Sequence, residues 1–380
     1  MPGRDEPSRK SRRRGGNPEG EDAWRERESR GRDSRGDWTI RFLLTYLLSI
    51  ACVFSPIVLL LSAFPARASQ DGGEPASVAG QEQRIRDCLG HEVVWKEPPH
   101  RIISLSPNLT EILAAIGAAD ALVGVTRFCD YPPYIQSIPR VGGILDPNLE
   151  AMSQLEPDLV LTTRGVPLET MATISDLGLP LYALDSRGGL EVIRDNILEI
   201  GVVTGWAIEA AQLADSLWTI LDNVHQTTSG LASEQRPRVY YGELGGAHWT
   251  TGPGTFIHDL IWAAGGRNVT ADAPSGWIPV SLEALVQSDP QVYLGTYDEE
   301  RETPDQARER VHRELQTLPG WRDTSLGQQA TPRVWLVEVD QLQRPGPRII
   351  PVTVAFSKFL HPDLWSDTPA DGKRIKGLAR

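Results

Sequence analysis

A segment that occurs twice constrains this chain more than anything else in it. Asn148-Leu149-Glu150-Ala151, running through Pro157 to Leu159-Val160-Leu161, returns as Ser281-Leu282-Glu283-Ala284, running through Pro290 to Val292-Tyr293-Leu294, with an offset of 133 at every matched position. Each copy reads as a capped helix, a proline turn and a buried strand. Asn148 or Ser281 caps the helix, the glutamate sits in its first turn near the positive end, and the apolar run after the proline suits a parallel sheet. Leu113-Ala114-Ala115-Ile116-Gly117 and Ile261-Trp262-Ala263-Ala264-Gly265 form a second echo, each an apolar helix end closed by a glycine that can take the left-handed cap. The pattern predicts an α/β protein of two similar lobes, each with a central parallel-type sheet, facing each other across a cleft.

A chain of 380 residues is long enough for two such lobes once its ends are set aside. Residues 1–37 are mostly charged, Gly, Ser and Pro, with no apolar period, and read as a disordered charged tail. Residues 38–68 hold the apolar run from Phe42 to Phe64, with Arg41 before it and Ala66-Arg67-Ala68 after it. This is an export signal, either removed as a signal peptide or retained as an anchor, since 23 residues at about 1.5 Å each also cross a bilayer. Either way the remainder lies outside the cytoplasmic membrane, in the periplasm or on the membrane's outer face.

Residues 1–68 contain thirteen Arg or Lys against nine Asp or Glu, so their removal moves the formal charge from -12 to -16. An exported domain this acidic is a poor nucleic-acid binder. Cys52 lies within the apolar run and reads as a membrane cysteine. Cys88 and Cys129 remain, and an oxidising compartment permits one disulfide between them.

Residues 69–99 read as a tether and lead-in, polar as far as residue 90. The first lobe is expected over 100–205, a connecting helix over 206–230 that joins the lobes as one rigid rod, the second lobe over 236–365, and a flexible tail over 366–380. The strands expected are Arg101 to Ser106, Leu122 to Thr126, Leu159 to Thr163, Leu181 to Asp185, Arg238 to Tyr241, Gln291 to Thr296 and Val334 to Val339, with a final helix from Val352 to Leu360. The aromatic, rigid stretch Arg127-Phe128-Cys129-Asp130-Tyr131-Pro132-Pro133-Tyr134 follows directly on a strand's carboxyl end, where open α/β sheets bind ligands.

Motifs of catalysis are missing from the sequence. It has no Walker glycine loop, no dinucleotide fingerprint and no nucleophile elbow, and its seven histidines show no tight metal-ligand spacing. Only His248, beside Trp249, is placed near the cleft. A binding protein is expected, with no catalytic residue, no metal site and no cofactor of its own.

Arg101-Ile102-Ile103-Ser104-Leu105-Ser106-Pro107, Val123-Gly124-Val125-Thr126 with Cys129-Asp130-Tyr131-Pro132-Pro133, Leu149-Glu150 with Pro157-Asp158-Leu159-Val160, Ala264-Gly265-Gly266-Arg267-Asn268 and Pro347-Arg348-Ile349 occur in this order over about residues 100–362. Together they resemble the periplasmic cobalamin-binding proteins of the helical-backbone substrate-binding class, which also handles ferric siderophores and haem. The resemblance implies a ligand held in the cleft and delivered, chemically unchanged, to the permease dimer of an ABC importer, by a protein that is monomeric before docking. Cobalamin or a related corrinoid is the first expectation, and a ferric siderophore or haem the alternative, which Arg127, Arg164, Arg344 and Arg348 keep open.

The resemblance places Phe128 and Trp277 around the ligand, with Asp340 and Arg344 as polar groups for corrin amides; Tyr131, His248 and Trp249 are the further candidate ligand contacts. Surface pairing of Asp340 with Arg344 is the alternative for those two, anchoring of the final helix the alternative for Arg348, and a place in the core the alternative for Trp277. Gly142-Gly143-Ile144-Leu145-Asp146 stands where cobalamin binders can offer a tryptophan. Glu150 and Glu283, one per lobe, resemble docking glutamates received by arginine-bearing pockets of the two permease subunits.

Overall fold

The computed structural model describes residues 83–242, 244 and 248–366. The charged tail, the export segment, residues 69–82 of the tether and residues 367–380 of the final tail lie outside the described residues.

From residue 83 the chain is a β-hairpin, not the tether expected up to residue 90. Strand β1 (Gln83–Arg86) pairs antiparallel with β2 (Glu92–Trp95). The Asp87 carboxylate explains the difference. It is fully buried and accepts from the backbone N–H groups of Leu89 at 2.9 Å, His91 at 2.8 Å and Ala183 at 3.1 Å, which staples the hairpin turn to the neighbouring sheet.

The first lobe runs through β3 (Ile102–Ser104), α1 (Pro107–Ala115), β4 (Leu122–Val125), α2 (Leu149–Gln154), β5 (Leu159–Thr163), α3 (Leu168–Asp176) and β6 (Leu181–Leu184). Its four main strands form one parallel sheet in the order β4-β3-β5-β6. Every residue of β3, β5 and β6 is buried, as a parallel sheet covered on both faces requires.

Two packed helices follow, α4 (Leu190–Thr204) and α5 (Ala207–Thr228). With 22 residues, α5 spans about 33 Å, and it is the long connector that the sequence led us to expect. The sharp reversal between the two depends on glycine. Gly205 closes α4 at φ +84°, and a Cβ at Gly201 would lie 2.2 Å from the Cβ of Ala210 on the facing helix.

The second lobe contains β7 (Arg238–Tyr241), β8 (Trp249–Thr251), α6 (Phe256–Ala263), β9 (Arg267–Asn268), β10 (Trp277–Pro279), α7 (Leu282–Gln287), β11 (Val292–Tyr297), α8 (Pro304–Thr317), β12 (Val334–Glu338), α9 (Val339–Gln343) and α10 (Ile349–Leu360). Strands β12-β11-β7-β9 form its parallel sheet, and β8 with β10 make a separate antiparallel ribbon. The protein is therefore the bilobed α/β fold read from the repeat.

The repeat is preserved in atomic detail. Asn148 Oδ1 accepts from Ala151 N at 3.0 Å and Ser281 Oγ from Ala284 N at 3.1 Å, while Gln154 donates to Glu150 and Gln287 to Glu283, both at 3.3 Å. Each copy also ends in a left-handed residue before its proline, Glu156 at φ 44° and Asp289 at φ 47°.

One hydrophobic core continues from Ile102 and Leu161 of the first lobe, through Ile197 of α4 and Leu217 of α5, to Val239, Leu260 and Phe356 of the second. A backbone bridge from Gly188 to Thr255 and a hydrogen bond from Leu190 N to Asp259 Oδ2 at 3.1 Å tie the lobes at a further point. Cys88 and Cys129 are both free. The Cys129 thiol is buried against the hydroxyls of Thr110 and Thr126, so the disulfide permitted by the sequence does not form. Among the described residues, no helix is long and apolar enough to cross a membrane.

Candidate functional site

Buried apolar sheets leave polar chemistry to the segments that emerge from strand ends. In the first lobe, the segment after β4 exposes Phe128 by 47%, with the Arg127 guanidinium 5.4 Å from its ring centre. In the second lobe, the β8–β10 ribbon carries Trp249 and Trp277, each 48% exposed. The register pairs Trp277 with Thr251 and Pro279 with Trp249, which puts both tryptophans on one face of the ribbon. Trp277 meets Tyr241 edge-on at 6.1 Å between ring centres. It is not a core residue. His248 is half-buried directly before β8.

The polar residues arrange themselves differently from the sequence expectation. Arg344 binds Asp130 of the other lobe in bidentate fashion, at 2.6 and 3.3 Å, and reaches Glu111 of α1 at 3.4 Å. It also pairs with Asp340, one helical turn earlier. Arg348, at the start of α10, makes its own bidentate contact with Glu111, at 2.8 and 2.6 Å, and donates to the Asp340 carbonyl at 3.2 Å. Its guanidinium lies 4.4 Å from the Tyr131 ring centre, so one face of this half-buried tyrosine is occupied.

Three carboxylates and two guanidinium groups thus form one network between the lobes, with a net charge of about -1 when all are ionised. Its exposure is graded. The Glu111 side chain is 2% exposed and those of Arg344 and Arg348 are 12% and 14%, whereas Asp130 is 46% exposed.

Burial raises the Glu111 pKa, against the opposing pull of Arg348 and Arg344. For Asp130 the balance is reversed. Partial burial pushes its pKa up, but the hydrogen bonds and charge of Arg344 hold it below the ordinary carboxylate value. Burial pulls the Arg344 pKa down, yet its three carboxylate partners raise it further, so the guanidinium remains charged.

Glu111 and Asp130 are not among the site residues expected from the sequence, and Arg348 is expected there only as one of the arginines that keep the iron-chelate reading open. One signal for Glu111 was present, a carboxylate within the apolar run Leu109 to Ala115, where a buried charge requires partners. Helix α9 also departs from the sequence expectation, which runs the strand through Val339, whereas the strand ends at Glu338 and the helix begins at Val339. This helix carries Asp340 in its first turn and is closed by Arg344 at its C-cap, four residues on.

Glu150 and Glu283 are exposed in the first turns of α2 and α7. They stand apart from the ion-pair network. No group of three or more His, Cys, Asp or Glu residues fit to hold a metal ion occurs among the described residues.

Residues 102–329 match the family described as periplasmic binding protein. A cobalamin-binding protein of Halobacterium salinarum is 27% identical over 329 residues, which is 84% of this chain and 85% of that protein. The Bacillus subtilis protein YvrC, described as an uncharacterised ABC transporter substrate-binding lipoprotein, is 25% identical over 287 residues, 74% of this chain and 87% of its own. Among solved structures, the periplasmic haem-binding protein RhuT from Roseiflexus in its apo form superposes with a TM-score of 0.58 at 26% identity, covering 69% of this chain and 99% of that one. A matched segment that takes in the first sheet, the long connecting helix and three of the four strands of the second sheet carries the conclusion: this chain belongs to the periplasmic binding protein family, in its helical-backbone class, and is an extracytoplasmic binder, not an enzyme.

Proposed function

We propose that this protein is the substrate-binding component of an ABC importer and that it receives a planar metal–tetrapyrrole chelate between its lobes for delivery to a permease dimer. The carrying observation is the set of large aromatics left exposed on both lobes, Phe128 at 47% and Trp249 and Trp277 at 48% each. Flat side chains with two rotatable bonds cover a macrocycle at low entropic cost, and each buries about 150–250 Å² when fully covered.

Two members of that ligand class have support. The likeness to a solved haem-binding protein strengthens the iron-chelate reading that the sequence placed second. The likeness to a cobalamin-binding protein, together with an Arg344 already held by carboxylates, supports a corrinoid with neutral amide edges.

Isothermal titration of the purified full-length protein with haem, cobalamin and a panel of ferric siderophores tests the proposal. The expected result is saturable one-to-one binding of haem or cobalamin, with the ligand recovered unaltered. Saturable binding confined to a siderophore would overturn the tetrapyrrole reading.

A further inference from the structure

Asp130 occupies an unusual position in the interlobe network. It comes from the first lobe, two residues after Phe128 and directly before Tyr131, and binds both terminal nitrogens of Arg344 from the second lobe. At 46% exposure it is the most accessible of the three carboxylates. Glu111 lies beneath at 2% exposure and holds Arg348 at 2.6 and 2.8 Å, so the buried half of the network is complete without Asp130. Asp340 approaches Arg344 from within its own lobe. An anion entering the cleft therefore meets Arg344 at the place where Asp130 already sits.

We propose that Asp130 sets the charge selectivity of the cleft, acting as an internal anion that occupies Arg344 in competition with the anionic groups of an incoming ligand. Without its charge the network changes from a net charge of about -1 to neutral, and guanidinium N–H groups become available to a ligand carboxylate. The inference rests on the tetrapyrrole reading only for the choice of ring probes.

The test compares full-length wild type, D130N and D130E in binding haem, which carries two free carboxylates, and haem dimethyl ester, which has the same ring with neutral edges. D130N is expected to shift the acid-to-ester affinity ratio toward the acid by about tenfold or more, while D130E keeps the wild-type ratio. A residue of purely structural importance would weaken both probes alike and leave the ratio where it was.

Citrate supplies carboxylates without a ring and separates this inference from the choice of ligand. D130N is expected to bind citrate about tenfold tighter than wild type or better. If neither ring probe nor cobalamin binds wild type, the tetrapyrrole reading fails and the citrate comparison alone decides the role of Asp130. A D130N protein with the wild-type melting temperature and no gain for citrate overturns the proposal, as does an unchanged acid-to-ester ratio.

Discussion

Under the proposed function, Trp277 is the side chain best placed to meet a ligand. Its ring is half exposed, anchored edge-on against Tyr241 and fixed by the β8–β10 register, so its direction is set before any ligand arrives. Replacing Trp277 with alanine is expected to weaken ligand binding by about 2 kcal/mol, or about thirtyfold in dissociation constant. Because the side chain is half exposed, the melting temperature should fall by only about 4 °C or less. Titration beside thermal unfolding separates the two effects. Unchanged affinity with a larger loss of stability would return Trp277 to a packing role. The neighbouring polar residues show why composition alone was a poor guide here. Asp340 and Arg344 pair with each other, as the alternative reading held, but Arg344 also reaches across to Asp130 and Glu111, and no local pattern encodes partners more than 200 positions apart.

The turns that end the two repeat helices allow a test at the scale of elements. Glu156 and Asp289 occupy equivalent left-handed positions, where a side chain costs about 1–2 kcal/mol relative to glycine. Their surroundings differ. Asp289 accepts from Ser325 N at 2.5 Å and Ser325 Oγ at 2.7 Å and pairs with Arg238, whereas Glu156 is held through its backbone, its carbonyl accepting from Arg101 and its N–H donating to Ser153 O, both at 3.1 Å. Glu156→Gly should therefore be neutral or stabilising by up to about 1 kcal/mol after the added unfolded-state freedom is counted, and Asp289→Gly should destabilise by about 1–2 kcal/mol. Urea unfolding of both variants checks the sign, and equal effects would mean that the Asp289 contacts contribute nothing. The capped helix, the proline turn and the buried strand were legible in each copy because period, caps and breakers act within a few residues. The β1–β2 hairpin was missed although Glu92-Val93-Val94-Trp95 alternates between more and less exposed positions, since the Asp87 staple to Ala183 that secures it joins distant parts of the chain. Helix α9 was missed because five residues after a strand carry too little periodicity to register.

At the scale of the whole molecule, the repeat becomes a pair of similar lobes that present one glutamate each. Glu150 and Glu283 share the same cap geometry and the same glutamine partner one turn on, and both are exposed. Local electrostatics accounts for a single carboxylate at a helix start. Two at equivalent positions of a bilobed protein match a partner made of two like subunits, and we propose that they dock on the permease. Reversing both charges should leave soluble ligand affinity nearly intact, because neither residue belongs to the Asp130–Arg344–Glu111 network or the exposed aromatics. It should abolish ligand-stimulated uptake, since like charges brought face to face cost several kcal/mol. Each single reversal should give a partial loss, and folding should weaken by only about 0.3–1 kcal/mol from the helix-end interaction. Uptake into vesicles reconstituted with the importer, measured beside ligand titration of the same variants, distinguishes these outcomes. Normal uptake by the double variant would leave the glutamates as helix-start charges alone and would remove the argument that the internal symmetry serves a two-fold partner.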